Sequence, residues 1–127
     1  MALIVQKYGG TSVADLDKIK AVAARVKKEM DAGNQVVVAL SAMSGVTSKL
    51  VGYTDDIGVL CDSREYDVVV STGEQASAGL LALALQDIGV NARSWMGWQV
   101  PIRTDAFHAK ARIEEIDGAS LKERLDK

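Results

Sequence analysis

Two short β-prone runs, residues 2–7 and 35–40, flank an amphipathic stretch. That order constrains the fold more than any other feature of the chain. The first run (Ala-Leu-Ile-Val) and the second (Val-Val-Val at its centre) are too apolar to alternate with solvent, so both read as buried strands. Between them Ile19, Val22, Ala23, Val26 and Met30 recur at helical spacing, and most of the lysines fall on the other face. Thr11 or Ser12 is the expected N-cap, the helix runs to about Ala32, and Gly33 suits the C′ position. Strand, helix and strand in about forty residues make a βαβ unit, which predicts two parallel strands. Parallel strands place the loops that follow them on one edge of the sheet, where open α/β sheets bind ligands.

Chemistry-bearing residues collect in those loops. Strand one closes on Lys7-Tyr-Gly-Gly-Thr-Ser12, a lysine followed by two glycines and two hydroxyls. Glycines let a backbone approach a phosphate, a helix N-terminus offers unpaired N–H groups, and lysine adds a point charge. The order is neither that of a P-loop nor that of a dinucleotide fingerprint. A snorkelling lysine before an ordinary glycine turn accounts for the same letters. Strand two opens into a small-residue loop, residues 41–48, with Ser41, Ser44, Gly45 and Thr47. Its hydroxyls could orient a carboxylate or phosphate, or Ser44 or Thr47 could simply cap the next helix.

Helices are expected over 46–58 and 63–71. Thr72-Gly-Glu-Gln75 fits a capping box with Thr72 as N-cap. It opens a helix to about Ile88 that is apolar nearly all round and hence buried on more than one side. Glu74 in its first turn reads as a partly buried carboxylate for a substrate ammonium group, or as an acid placed by the helix dipole. A third strand is expected over 92–95, a turn-rich connection over 97–104, a strand over 111–116 and a last helix over 119–125. Trp95, Trp98 and Arg103 suit a wall, an interface or core packing. His108, the single histidine, has no metal-spaced partner and suits a surface role.

Bulk properties exclude several classes. The 127 residues suffice for one domain with a core, and a net charge of −2 favours neither a nucleic-acid backbone nor an anionic membrane. One cysteine, Cys61, permits no intrachain disulfide and reads as a small apolar residue. No basic leader precedes the first apolar run, and the longest apolar stretch, 78–85, is short for a bilayer. A cytoplasmic protein without nucleic-acid or membrane partners is the expectation.

Taken in order, Lys7-Tyr-Gly-Gly-Thr-Ser-Val13, the run 36–47 ending Ser-Ala-Met-Ser-Gly-Val-Thr47, Ser71-Thr-Gly-Glu-Gln75, Gly97-Trp-Gln99, Ile102-Arg-Thr-Asp105 and Ala111-Arg-Ile113 resemble the aspartate kinases of the amino-acid kinase superfamily. The resemblance covers nearly the whole chain. It implies a three-layer α/β/α fold with a mainly parallel sheet, and transfer of the ATP γ-phosphoryl group to the side-chain carboxylate of L-aspartate. The product, 4-phospho-L-aspartate, leads to lysine, threonine and methionine. By motif position Lys7 would be catalytic. Lys7, Tyr8, Gly9, Gly10 and Ser41 would contact ATP, and Thr47 and Glu74 would hold L-aspartate. ATP would bring Mg²⁺, with no tightly bound metal.

The resemblance further implies that residues 1–127 are the N-terminal, substrate-binding part of the kinase domain. The nucleotide lobe, the arginine for the substrate α-carboxylate and the regulatory ACT domains are expected beyond these residues, so little activity is expected of them alone. A homo-oligomer is expected. The alternative is a non-catalytic interaction or aspartate-binding module that oligomerises through an open sheet edge. Ala109 stands where the family commonly has glycine.

Overall fold

The computed structural model describes residues 1–58, 60 and 62–126, so Cys61 lies outside the described residues. Strand β1 (Leu3–Tyr8) pairs in parallel with β2 (Gln35–Leu40), in register from Leu3 opposite Gln35 to Tyr8 opposite Leu40. The helix between them is α1 (Leu16–Asp31). Its buried face is Ile19, Val22, Ala23 and Val26, as the spacing predicts, while Met30 at the last turn is exposed. Gly33 takes φ +83° just past its end, the left-handed conformation that a C′ glycine supplies without strain.

The start of α1 differs from the expectation. The glycine pair leads into a 3₁₀ turn, Gly10–Val13, closed by the Ser12 N–H donating to Gly9 O at 3.0 Å. That turn consumes Thr11 and Ser12. The N-cap is Asp15, whose Oδ1 accepts from the Lys18 N–H at 2.9 Å.

Helices α2 (Val46–Ile57), α3 (Ser63–Val70) and α4 (Thr72–Asp87) follow. The N-cap of α2 is Gly45, at φ +80°, and neither Ser44 nor Thr47 caps it. The capping box expected at Thr72 is absent. Ser71 has helical φ −66° and ψ −14°, its N–H donates to Asp67 O at 3.1 Å, and its carbonyl accepts from Gln75 N at 3.4 Å. The chain thus runs helically from α3 through Ser71 into α4, and Thr72 does not stand at a free helix end. Thr72 Oγ1 turns back to donate to Val69 O at 2.7 Å. By length and composition alone the rod Ser63–Asp87 could cross a membrane. Within this fold α4 instead lays Leu81 and Leu85 against α1.

The core joins Val13, the buried face of α1, Leu81, Leu85 and Val90, with Val36, Val38 and Leu40 packed against it from β2. Ile19 and Val13, wholly enclosed, each contribute about 1.5–3 kcal/mol of burial. Alternation along β1 turns Ile4, Gln6 and Tyr8 toward the helices. Leu3, Val5 and Lys7 lie on the opposite face and are exposed, Val5 at 69%. Of the expected layers, the described residues thus set helices over the β1–β2 face that carries the core.

Residues 92–95, expected as a strand, have no regular structure. No strand among the described residues pairs with them, and a strand is defined by its partner. The expected connection over 97–104 contains a short strand, β3 (Ile102–Thr104). It pairs antiparallel with β4 (Ile113–Ile116) as a separate hairpin, all of whose strand residues are exposed. Helix α5 (Ala119–Leu125) closes the described chain, with Leu125 O accepting from Gln35 Nε2 at 2.7 Å.

Candidate functional site

The parallel register brings the two glycine- and serine-rich loops together. Ser41 N–H donates to Tyr8 O at 3.0 Å, which carries the ladder one bond past the strand ends. Beyond it the loops touch. A Cβ placed on Gly10 would lie 2.9 Å from Ala42 O and 3.7 Å from Ser44 Cα, so the two backbones approach to a distance that only glycine permits. Lys7 projects from the exposed face of β1. Its Nζ lies 3.9 Å from where a Gly9 Cβ would stand, so the ammonium is folded over the glycine turn.

Helix α4 holds the second loop from the other side. Glu74 Oε1 accepts from the Ala42 N–H at 3.3 Å. Ser77, at 0% exposure, has its Oγ 2.8 Å from Ser41 O and 3.1 Å from Glu74 O. A hydroxyl has one proton, so the shorter bond to Ser41 O takes it and the pairing with Glu74 O alternates with it. A Cβ on Gly73 would stand 2.9 Å from Ala42 Cβ and 3.3 Å from Val46 Cγ1. Ala42 is therefore the buried point at which the Gly9–Gly10 turn, the 41–48 loop and the first turn of α4 meet.

The expected site residues distribute as follows. Lys7, Gly9, Gly10, Ser41 and Glu74 cluster at this meeting point. Glu74 is exposed rather than partly buried, and one carboxylate oxygen is engaged by the Ala42 amide. Thr47, half-buried, sits in the first turn of α2 next to Val46, which packs on Gly73. Tyr8 turns its ring to the core face and donates its hydroxyl to Gln6 Oε1 at 2.8 Å. With Thr11, Ser12, Lys18 and Arg25 it lines a groove of about 210 Å³.

Trp98 is exposed, Arg103 pairs across the hairpin with Glu115 at 3.2 Å, and His108 faces Asp67. Among the described residues no group of three His, Cys, Asp or Glu could hold a metal ion. A larger cavity of about 650 Å³ between α2 and α3, lined by Thr54, Ile57, Tyr66 and Val69 among others, shares no residue with the cluster.

Ala42, Gly73, Ser77 and Asp67 carry no expected role in the sequence reading. Gly73 alone had a signal, as a helix-breaking glycine between Thr72 and Glu74 in a first turn.

Taken together the cluster offers one cation over a glycine turn, two loop backbones at close approach and a carboxylate. Such a set can hold a phosphoryl group beside an ammonium-bearing molecule.

The amino acid kinase family model matches residues 2–127. The aspartokinase of Rickettsia bellii is 48% identical over 128 residues, covering 98% of this chain and 32% of its own. That of Pseudomonas aeruginosa is 51% identical over 125 residues, with 98% and 30% covered. Aspartokinase 2 of Bacillus subtilis is 46% identical over 127 residues, with 100% and 31% covered. The chain thus spans about a third of the length of these curated relatives. Escherichia coli aspartokinase III, solved in complex with aspartate and ADP, matches 99% of this chain and 39% of its own at TM-score 0.82 and 24% identity, a likeness of fold. Aspartate kinase from Synechocystis matches 68% of this chain and 15% of its own at TM-score 0.66 and 47% identity. The α/β fold expected from the sequence is the fold of these structures.

Proposed function

The chain belongs to the amino acid kinase family, and on that premise we propose that it is the N-terminal, substrate-side part of an aspartate kinase. The reaction is transfer of the ATP γ-phosphoryl group to the side-chain carboxylate of L-aspartate, in the cytoplasm, at the entry to lysine, threonine and methionine synthesis. The observation that carries this reading is the meeting of three motif segments at Ala42: the glycine turn, where a Cβ on Gly10 would stand 2.9 Å from Ala42 O; the Glu74 carboxylate, 3.3 Å from Ala42 N; and Gly73, where a Cβ would stand 2.9 Å from Ala42 Cβ.

The chemistry suits the residues. A carboxylate nucleophile is already ionised and needs no base, so catalysis is mostly positioning and charge neutralisation. In this reading Lys7 neutralises the transferring phosphoryl group. Gly9 and Gly10 bring N–H groups to phosphate oxygens, with the Tyr8 backbone and Ser41 beside them. Thr47 and Glu74 hold L-aspartate, Glu74 through the α-ammonium group. The described residues offer no acidic cluster to seat a divalent ion, so Mg²⁺ would arrive on the ATP phosphates as part of the substrate.

Calorimetric titration of the 127-residue chain with L-aspartate tests the substrate half. Glu74→Gln is expected to weaken binding about tenfold or more, the factor for losing a hydrogen bond to a charged group. Equal binding by wild type and Glu74→Gln refutes the assignment. In a coupled ATP/aspartate assay little or no turnover is expected of the 127 residues alone. Full turnover, abolished by Lys7→Ala, would overturn the proposed need for the rest of the relatives' length.

A second reading rests on the open sheet. Strands β1 and β2 pair only with each other among the described residues, and Leu3 and Val5 are exposed beside the free β1 edge. Such an edge invites pairing with another chain. Sedimentation that finds an obligate oligomer without L-aspartate binding would favour a non-catalytic module, whereas a monomer that binds L-aspartate favours the kinase part.

A further inference from the structure

We propose that Asp67 is a positioning residue: it clips the 105–112 loop onto α3 and so fixes the helical rod that presents Glu74 to the Ala42 amide. The proposal rests on the reading of the site given above, in which the placement of Glu74 matters.

One oxygen makes the clip. Asp67 Oδ2 accepts from the Ala109 N–H at 3.0 Å and lies 3.2 Å from His108 Nδ1. Both partners are more than 40 residues away in sequence, so the contact is tertiary. The loop is shaped to make it. Ala109 has φ +59°, the single non-glycine residue at positive φ among the described residues. A side chain is disfavoured in that conformation, and it persists where surrounding contacts over-determine it. Asp105 organises the loop from within, its Oδ1 accepting from Phe107 N at 3.2 Å and Arg112 N at 3.3 Å. The strand residues of the hairpin are all exposed, so apolar burial does little to hold it on α3. The polar clip is what ties the loop down.

The rod transmits the constraint. Backbone hydrogen bonds run unbroken from Asp67 O to Ser71 N and from Ser71 O to Gln75 N. Asp67 and Glu74 are seven residues apart on it, two turns or about 10 Å, and therefore on one face. A tether on Asp67 restrains the rod on the face from which Glu74 reaches Ala42.

Amide exchange of the 127-residue chain, followed by NMR without ligand, tests this independently of activity or aspartate binding. Asp67→Ala is expected to speed exchange at Ala109 about tenfold or more, the factor for one hydrogen bond to a charged group. Exchange at Ala42 should rise with it, while Val22 and Val26 in α1 stay unchanged. Asp67→Asn keeps an acceptor oxygen and should restore most of the protection at both amides. It also decides the matter if Asp67→Ala unfolds and α1 exchanges too. Unchanged exchange at Ala109 would show that there is no clip. Faster exchange at Ala109 with Ala42 unmoved would show a clip that does not position Glu74. Either overturns the proposal, whereas loss of L-aspartate binding with the exchange pattern intact would fault only the site reading.

Discussion

Gly10→Ala is the sharpest probe of the meeting point. Two effects oppose each other. Replacing glycine narrows the unfolded ensemble and favours the folded chain by about 0.4–1 kcal/mol where the backbone accepts a side chain, as a 3₁₀ turn does. The added Cβ, however, would stand 2.9 Å from Ala42 O, well inside ordinary contact. Overpacking of this kind costs about 1–3 kcal/mol, and the upper part of that range applies when the neighbour cannot yield. Here it cannot. Ser41 O is bound to Ser77 Oγ and Ala42 N to Glu74 Oε1 on one side, and Met43 O to Val46 N at 3.0 Å on the other, so the peptides flanking the one that carries the carbonyl are pinned. The net expectation is a loss of about 1–2 kcal/mol.

Gly79→Ala is the matched control. It lies inside α4 with nothing within 4 Å of the new Cβ, and should gain about 0.5–1 kcal/mol. Urea titrations read by circular dichroism would compare the midpoints at constant m. Opposite shifts are expected, with Gly10→Ala below wild type. If Gly10→Ala gains as much as Gly79→Ala, the close approach of the two loops is not a constraint and the reasoning fails.

Further perturbations address single contacts. Ser77→Ala leaves Ser41 O without its buried donor and should cost about 1–3 kcal/mol in the same titration, whereas no loss would show the carbonyl finding another partner. Ala109→Gly should raise thermal stability by about 1 kcal/mol, because glycine accepts φ +59° without the penalty of a side chain. Asp15→Ala should cost about 1 kcal/mol and fray the first turn of α1, seen as faster amide exchange at Lys18.

What the sequence disclosed, and what it withheld, divide along a physical line. The parallel pair was legible because two apolar β-prone runs, the second with Val36-Val-Val38 at its centre, are joined by a helix with an unmistakable apolar face, although the expectation that both are buried strands fails at Leu3 and Val5, which are exposed. Gly33 was legible as a helix stop, and it takes positive φ. These features are decided within one element and its flanks. The capping box failed because Thr72 and Gln75 were read as a free helix end. Whether an end is free depends on the preceding element, and α3 runs helically through Ser71 into α4. The strand over 92–95 failed for the same reason, since a strand exists through its partner. Asp15 displaced Thr11 and Ser12 as N-cap because the turn after Gly9 tightened to 3₁₀ and moved the helix start. At the site, the motifs named the polar residues but not their neighbours. Ser77 and Asp67 carry no local signal, because their partners are 36 or more residues away.

The small residues of the three motifs have a cause beyond ligand contact. By sequence Gly10 reads as part of a phosphate turn, and Gly73 carries no role of its own. In the fold a Cβ on either would stand 2.9 Å from Ala42, from its carbonyl oxygen at Gly10 and from its Cβ at Gly73. A phosphate cradle alone requires glycine facing the ligand; it does not require glycine facing Ala42. The seam needs all three small, since any larger side chain would part the loops that carry Lys7 and Ser41 from the helix that carries Glu74. For the proposed transfer this is where rigidity has most effect. With an ionised nucleophile and no general base, the rate depends on holding phosphoryl group and carboxylate in line, and an error of about 1 Å costs on the order of a hundredfold. A seam of glycine backbone against Ala42, pinned by Ser77 and Glu74, has few rotamers to rearrange. It holds the glycine turn, the 41–48 loop and the first turn of α4 together more firmly than packed side chains of the same area would.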